Sequence, residues 1–313
     1  MVHLLLKGLP LLLMIFFTQH ARANANECTN FGSVVFFQNN NDASIKDCIQ
    51  NASEEALTII FPDGNTVTMN AVVAGVNSKT LSFLLSHYTE SFTEELLKHR
   101  NFEDLSVSHL AVTSPNAARL ILELNSWGAD FNLLQHKKDG DFLTSDRGIS
   151  ALHYAIDNRA TFDAILSLLA SGIDTGIRDQ KGNIPLNYAA VKEDRYDVLQ
   201  LLLSWTEDLP QNDNGTTALH FAAQEISDSD NMELFLSLVD SKYHDDLNKN
   251  DMTILHSAAT FTKNPEILGI VMAYSQEFLC EKDKKDARAI DYARNNTILN
   301  DTTSLLDLQN ACQ

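Results

Sequence analysis

The sequence predicts an all-α protein built as a solenoid of helix–turn–helix repeats, and three observations predict it. A short phrase recurs as "ALHYAI" (151–156), "PLNYAA" (185–190), "ALHFAA" (218–223) and "ILHSAA" (254–259). Its third residue stands at 153, 187, 220 and 256, so the gaps are 34, 33 and 36 residues. A turn such as "QKGNI" or "DNGTT" precedes each copy, and an apolar run such as "VLQLLL" follows it. A constant period of this length indicates stacked units that bury their apolar faces against one another.

The third position of the phrase extends the alignment in both directions. It is occupied by Asn70, His109, His153, Asn187, His220, His256 and Asp291. The early copies are weaker, since Met69 and Ser108 stand where later copies have leucine. The gap of 44 residues between positions 109 and 153 indicates an insertion at 132–145, which we expect to project as a longer loop. Such a loop either contributes to binding or reflects neutral drift, and both interpretations stay open.

The turn and phrase together resemble the ankyrin repeat, whose signature reads D-x-x-G-x-T-P-L-H-x-A-A. The resemblance runs from about residue 28 to 308 and implies about seven to eight repeats with β-turn fingers between them. It divides the chain into a degenerate N-terminal capping unit at 24–62, ankyrin repeats at 63–282 and a C-terminal capping repeat at 283–313.

Each residue type in the phrase has a physical role in this interpretation. Serine or threonine caps the backbone N–H groups at the helix start, and Pro185 fits the next position because its N–H is not needed there. The leucine fills the core, and the alanines allow close helix packing. We expect the histidine to bridge to nearby backbone or hydroxyl groups. The alternative, a set of metal ligands, is disfavoured because residues one repeat apart do not converge on one point.

Residues 1–23 have the order of a secretory signal peptide. Lys7 precedes an apolar run from Leu9 to Phe17, and small residues follow. Cleavage is expected after Ala23 or Ala25, with an uncleaved anchor as the alternative. The run is shorter than the roughly 18 residues of a spanning helix, and no later stretch reaches that length. We therefore expect an exported protein without a membrane span after cleavage, most readily periplasmic and alternatively extracellular.

The four cysteines lie in two pairs near the chain ends. An even number in an exported protein favours disulfides over metal binding or catalysis. In a helix pair the start of the first helix lies near the end of the second, which brings Cys28 next to Cys48. Cys280 and Cys312 occupy roughly equivalent points of neighbouring repeats, so their bond requires a local adjustment. Cys28 and Cys48 lie on either side of an aromatic pair, the "FF" of "FGSVVFFQNN". This arrangement resembles the N-terminal unit of exported bacterial ankyrin proteins.

Composition and motifs exclude several function classes. The 23 basic and 42 acidic residues give a formal charge of −19, which disfavours nucleic acid and anionic membranes as partners. No G-x-S-x-G, H-E-x-x-H or phosphate-binding glycine loop occurs, and no oxygen-rich turn has calcium-loop spacing. We expect a monomer without cofactor or metal. An enzyme that uses His136, Asp139 and Asp141 of the inserted loop is the least favoured alternative.

The resemblance implies a protein partner that contacts the fingers and the exposed side of the first helices. Basic residues recur in the fingers of this acidic protein, which favours an acidic partner, although ordinary solvated turns explain them equally well. The finger candidates are Arg147, Gln180, Lys181, Asn183, Asp213, Asn214, Lys249, Asn250, Lys284 and Lys285. The helix candidates are Val191, Lys192, Gln224, Glu225, Thr260 and Phe261.

The sequence thus predicts an exported, non-catalytic protein-binding module. An inhibitor or immunity role and a chaperone or scaffold role are equally open. A secreted effector that binds a host protein is the alternative with the same fold.

Overall fold

The helices follow the predicted repeat along the whole described chain. The structure, a computed structural model, describes residues 28–135, 148–192, 194–206, 208–244 and 246–312. The signal peptide, Arg147 and most of the inserted loop, including His136, Asp139 and Asp141, lie outside these residues. The α-helices are α1 Val34–Asn39, α2 Asp42–Gln50, α3 Glu54–Leu57, α4 Val67–Ala74, α5 Ser78–Leu85, α6 Glu90–Lys98, α7 Val107–Ala111, α8 Ala117–Ser126, α9 Ala151–Asp157, α10 Phe162–Ala170, α11 Pro185–Ala190, α12 Tyr196–Trp205, α13 Ala218–Glu225, α14 Ser229–Leu238, α15 Ile254–Phe261, α16 Pro265–Tyr274, α17 Ala289–Ala293 and α18 Thr303–Ala311.

The helices form two packed rows. The first helices of successive pairs contact one another in the order α1, α4, α7, α9, α11, α13, α15, α17. The second helices do the same in the order α2, α5, α8, α10, α12, α14, α16, α18. Helices α3 and α6 lie in the connections between pairs. Isolated β-bridges occur, but the described residues contain no strand, so the predicted all-α solenoid is confirmed.

The residue types of the phrase produce this packing. The leucines at 152, 186, 219 and 255 are fully buried, as is Met69 in the weak first copy. Ala155, Ala222 and Ala258 are fully buried in the first helices, where a larger side chain would push neighbouring pairs apart. The sequence pattern therefore translates directly into one continuous apolar core.

Serine and threonine cap the starts of the first helices, and the histidine of the phrase adds a second contact there. Thr66 and Thr253 accept a hydrogen bond from the backbone N–H three residues on, as predicted. At Ser106, Ser150 and Thr217 the hydroxyl also lies against the ring nitrogen of the histidine three residues on, as it does at Thr253. These three hydroxyls face the backbone N–H of the same histidine and close a capping box, so the predicted capping role is confirmed there too.

Both ends of the stack carry a cysteine pair at bonding distance. The Cα atoms of Cys28 and Cys48 are 5.7 Å apart, and those of Cys280 and Cys312 are 5.4 Å apart. The first pair ties the segment before α1 to α2, and the second ties the segment after α16 to the end of α18. Helix α2 is capped by Asn41, whose side chain accepts from Ser44 N.

Candidate protein-binding surface

The histidines at the third position of the recurring phrase, which we call the phrase histidines, connect the first helix of their repeat to the turn of the following repeat. The Nε2 atom of His109 lies 3.0 Å from the carbonyl oxygen of Ile149, and that of His220 lies 3.0 Å from the carbonyl oxygen of Met252. His153 and His256 make the same contact with the carbonyls of residues 183 and 287, at 3.1 and 3.3 Å. The other ring nitrogen, Nδ1, accepts from the backbone N–H at the helix start, for example from Thr217. Each ring is therefore a neutral Nε2–H tautomer that connects two repeats.

Burial keeps these rings uncharged. It lowers the pKa of His109, His153 and His220 to about 4, against the opposing effect of the hydrogen bond to the carbonyl. The pKa of His256 is lowered for the same reason. A neutral ring that uses both nitrogens inside the fold has neither a free lone pair for a metal nor a free base for catalysis. Among the described residues no cluster of three metal-ligating side chains occurs.

Asparagine reproduces only part of this arrangement. In the histidine position of its repeat, Asn187 accepts from Ile184 N through Oδ1 at 2.8 Å. Its Nδ2 is buried and has no hydrogen-bond partner. The shorter side chain therefore caps its own helix but does not reach the next turn. Asn70 is placed differently, since its Nδ2 donates backward to the carbonyl of Gly32 at 3.1 Å.

A second network fixes the fingers. In five of the described fingers, a five-residue turn has a first side chain that accepts two backbone hydrogen bonds, from the residues two and four positions on. Asp179 accepts from Lys181 N and Asn183 N, both at 2.8 Å. Asn101, Asn212, Asn248 and Asp283 make the same pair of bonds. The fourth residue has a positive φ, which glycine adopts at Gly182 and Gly215, and which aspartate adopts at 104, 251 and 286.

Backbone hydrogen bonds also connect neighbouring fingers. Lys249 N donates to the carbonyl of Asn214 at 2.8 Å, and Asp213 N donates to that of Lys181 at 2.9 Å. The same bond joins Lys284 to Asn250 and Phe102 to Asp63. Because these bonds use the backbone, the side chains of the finger tips stay free to face outward. We call the exposed tips of the turns 61–65, 101–105, 179–183, 212–216, 248–252 and 283–287 the finger ridge.

The structure brings the described finger candidates together on this ridge. Gln180, Lys181, Asp213, Asn214, Lys249, Asn250, Lys284 and Lys285 are exposed there. Asn183 is half-buried, and its amide bonds to Asp179 and Asn212 within the finger network. The ridge is not uniformly basic, because Lys284 lies 3.7 Å from Asp251 and Asp213 lies beside Gly182.

The helix candidates divide into two groups. Lys192 pairs with Asp157 at 3.0 Å, and Glu225 pairs with Lys263 at 3.1 Å, so both connect adjacent repeats. Gln224 lies near Ser257, and Thr260 bonds to the carbonyl of its own helix. Val191 is half-buried, and Phe261 is exposed over 53% of its surface. Whether any of them contacts a partner stays a prediction.

An aromatic row lies beside the ridge on the first helices. Tyr154, Tyr188 and Phe221 follow the third position of the phrase in three successive repeats, and all are half-buried. Tyr154 and Tyr188 pack edge-on against the histidine of the preceding repeat. The hydroxyl of Tyr188 donates to Asp179, and that of Tyr292 donates to Asp283, so these rings also brace the fingers.

Sequence reasoning missed the finger at 101–105. Its turn "NFEDL" has no glycine, because Asp104 takes the positive-φ position. The signal that could have found it is the Asn that begins the turn, which aligns with Asn212 and Asn248 of later repeats. Its tip is Phe102, which is exposed over 76% of its surface.

The comparisons with known proteins agree with this geometry. A family model described as ankyrin repeats, in three copies, matches residues 108–213. Those residues are ankyrin repeats. Among solved structures, the crystal structure of the ankyrin repeat domain of Bcl-3, a unique member of the IkappaB protein family, matches with a TM-score of 0.60 and 20% sequence identity. The match covers 79% of this chain and 99% of that one, and it shows that the ankyrin fold extends well beyond the three matched copies.

No curated protein matches the chain. The ankyrin fold is typically a non-catalytic scaffold for protein interactions, and the ankyrin repeats here suggest a protein partner. Within the described residues, no helix is both long and apolar enough to cross a membrane.

Proposed function

We propose that this chain is an exported, non-catalytic protein-binding module that contacts its partner through the finger ridge. One observation carries the proposal: the recurrent polar residues are buried in contacts that hold the fold, whereas the side chains at the finger tips are exposed, including Lys284, which also contacts the neighbouring finger. The histidines connect repeats, and the Asx side chains hold the turns, whereas eight candidate side chains of the ridge face solvent.

The ridge suits binding because it is rigid before any partner arrives. Every described turn is fixed by side-chain and backbone hydrogen bonds, so little conformational entropy is lost when a partner docks. The exposed tips alternate in charge and polarity, which provides specificity more than affinity. Lysines at positions 181, 249 and 285 supply the positive charge expected to meet an acidic partner.

Export is part of the proposal and is supported by the cysteine pairs. Cysteines at bonding distance at both ends of the stack fit an oxidising compartment, because cytosolic thiols are kept reduced. We assign the protein to the periplasm first. Inhibitor, immunity and scaffold roles all remain compatible with such a module.

A matched charge-reversal experiment tests the function. The ridge variant carries Lys181→Glu, Lys249→Glu and Lys285→Glu. The control carries Lys79→Glu, Lys98→Glu and Lys242→Glu, which make the same charge change at exposed positions outside the fingers. Purified protein from Asn24 onward, with both disulfides formed, is used to retain proteins from an envelope extract. We expect one protein to be retained by the wild type and the control and lost by the ridge variant. Retention by all three proteins, or by none, contradicts the proposal.

A further inference from the structure

The finger at 101–105 differs from every other described finger in the side chain at its tip. Phe102 is exposed over 76% of its surface, more than any other large hydrophobic residue of the described chain. The equivalent turn positions of later fingers carry polar residues, namely Gln180, Asp213, Lys249 and Lys284. A turn of this kind therefore does not require an aromatic residue at this position.

The ring is displayed on a rigid support. Phe102 N donates to the carbonyl of Asp63 at 3.1 Å, and Asn101 Oδ1 accepts from Glu103 N at 3.0 Å and from Leu105 N at 2.9 Å. A further bond joins Asn101 Nδ2 to Asn65 Oδ1 at 2.9 Å. These bonds fix both neighbouring turns, so the aromatic side chain has a defined position before binding.

Gly64 completes this support. A Cβ atom at position 64 would lie 2.6 Å from Phe102 N and 2.8 Å from its Cδ1, so only glycine allows the aromatic residue to lie this close. His99 holds the same glycine through Nε2, which lies 2.8 Å from the Gly64 carbonyl oxygen. The ring is thus supported from below and open on its outer side.

Acidic residues flank the ring. Asp63 and Glu103 are both exposed, and within the described parts of the chain neither carboxylate takes part in an ion pair. A protruding aromatic residue with a polar border is the common form of an interface hot spot, because the aromatic ring provides the buried area and the border excludes water. The complementary surface is an apolar pocket bordered by basic side chains.

We propose that Phe102 is an anchor residue of the binding surface and inserts into an apolar pocket of the partner protein that is bordered by lysine or arginine. This inference rests on the proposed function and adds the kind of partner. It gives the ridge two ends of different character, an aromatic and acidic end at 63–103 and a lysine-containing end at 249–285. A partner would then dock in one orientation only.

The test uses the protein retained by the wild type, purified and titrated calorimetrically against variants of the full mature chain. Phe102→Gln gives this finger the residue that Gln180 provides in another one, so the turn should remain folded. Leu122→Gln is the control, since Leu122 is 49% exposed on α8, away from the ridge. We expect Phe102→Gln to raise Kd about 30-fold or more, as for an interface hot spot, and Leu122→Gln to leave Kd within about threefold.

The charged border is tested separately. Asp63→Asn with Glu103→Gln should raise Kd several-fold and reduce its dependence on salt, whereas tighter binding would overturn the basic pocket.

If Phe102→Gln binds as the wild type does and the lysine ridge variant does not, the inference fails while the proposed function stands. If the wild type retains no protein, both fail. Sedimentation that shows a wild-type dimer and a Phe102→Gln monomer would assign the surface to a second copy and overturn the partner proposed here.

Discussion

His220 and Met252 are joined across two repeats by a 3.0 Å contact between the imidazole Nε2 and the backbone carbonyl oxygen. The same ring accepts from the backbone N–H of Thr217 through Nδ1, so one side chain both starts its own helix and fixes the next finger. Repetition of this bond at positions 109, 153 and 256 couples the stack along its length. In a repeat protein, stability depends on such interfaces between neighbours.

Replacement of His220 by alanine should strongly destabilise the stack. It removes both hydrogen bonds, leaves the carbonyl of Met252 with Asn248 N as its donor and opens a cavity where the ring was, with an expected cost of about 3 kcal/mol. Urea unfolding followed by circular dichroism measures the loss. His87→Ala is the control, because His87 is exposed and its Nδ1 lies against the carbonyl of Phe83 in the helix just before it. Equal effects of the two substitutions would contradict the coupling role.

Stability should decrease as the pH falls from about 6.5 towards 4. The pKa of His109, His153 and His220 is about 4 in the fold and near 6.5 when unfolded. Between these values the unfolded chain binds more protons than the folded one, so acid favours unfolding. Each buried histidine contributes a slope approaching about 1.4 kcal/mol per pH unit. His220→Asn removes one titrating group and leaves the carboxylates in place, so its profile should be flatter than that of the wild type. If stability depends on pH as steeply in His220→Asn as in the wild type, His220 is not the buried neutral group described above.

Asn187→His should stabilise the protein. The buried Nδ2 of Asn187 has no partner, whereas a histidine at this position could donate to the next finger as His153 does. A gain of about 1 kcal/mol is expected from one satisfied buried hydrogen bond. Asn187→Ala should instead destabilise, because it removes the cap at Ile184 N. The unfolding midpoints of the two variants and the wild type decide the outcome, and a destabilised histidine variant would count against the repeat geometry.

Gly215→Ala should be more harmful than Gly172→Ala. Both glycines have a positive φ, 74° and 77°, so alanine strains the backbone at either position. Only at position 215 would the new Cβ collide with the neighbouring finger, at 2.6 Å from Lys249 N. We expect the cost at position 172 to be about 1 kcal/mol and that at 215 to be clearly larger. Similar melting temperatures would show that the fingers are not held in contact.

Loss of a disulfide should affect only its own end of the stack. With Cys280 and Cys312 both replaced by serine, the amides of α17 and α18 should exchange hydrogen faster, because this disulfide closes the loop that contains both helices. The same change at Cys28 and Cys48 should act on α1 and α2. Hydrogen exchange with mass spectrometry distinguishes the two ends. Faster amide exchange along the whole chain would show that the disulfide does not stabilise its own end alone.

Sequence reasoning reached the repeat, the rows of helices and the structural role of the histidines because each is carried by a periodic pattern. It could not show that Asn187 satisfies only half of the histidine role, since side-chain length matters only once the distance to the next turn is known. Ion pairs between repeats could not be predicted for the same reason. Lys192 and Asp157 are 35 positions apart, and the sequence around either residue does not indicate which residue it contacts. Phe102 was missed because its turn lacks glycine and precedes the weak second copy of the phrase, in which Ser108 stands in place of leucine.

We propose that two sets of residues have separate roles: a buried set holds the repeats together, and the exposed finger ridge binds the partner protein. The most direct measurement takes His220→Ala and the triple lysine ridge variant and determines, for each, both the urea midpoint and the retention of the envelope protein. We predict that the ridge variant unfolds with the wild type but retains no partner. The histidine variant should unfold at lower urea yet retain the partner under conditions in which it remains folded. A ridge variant that loses stability, or one that binds as the wild type does, would contradict the account.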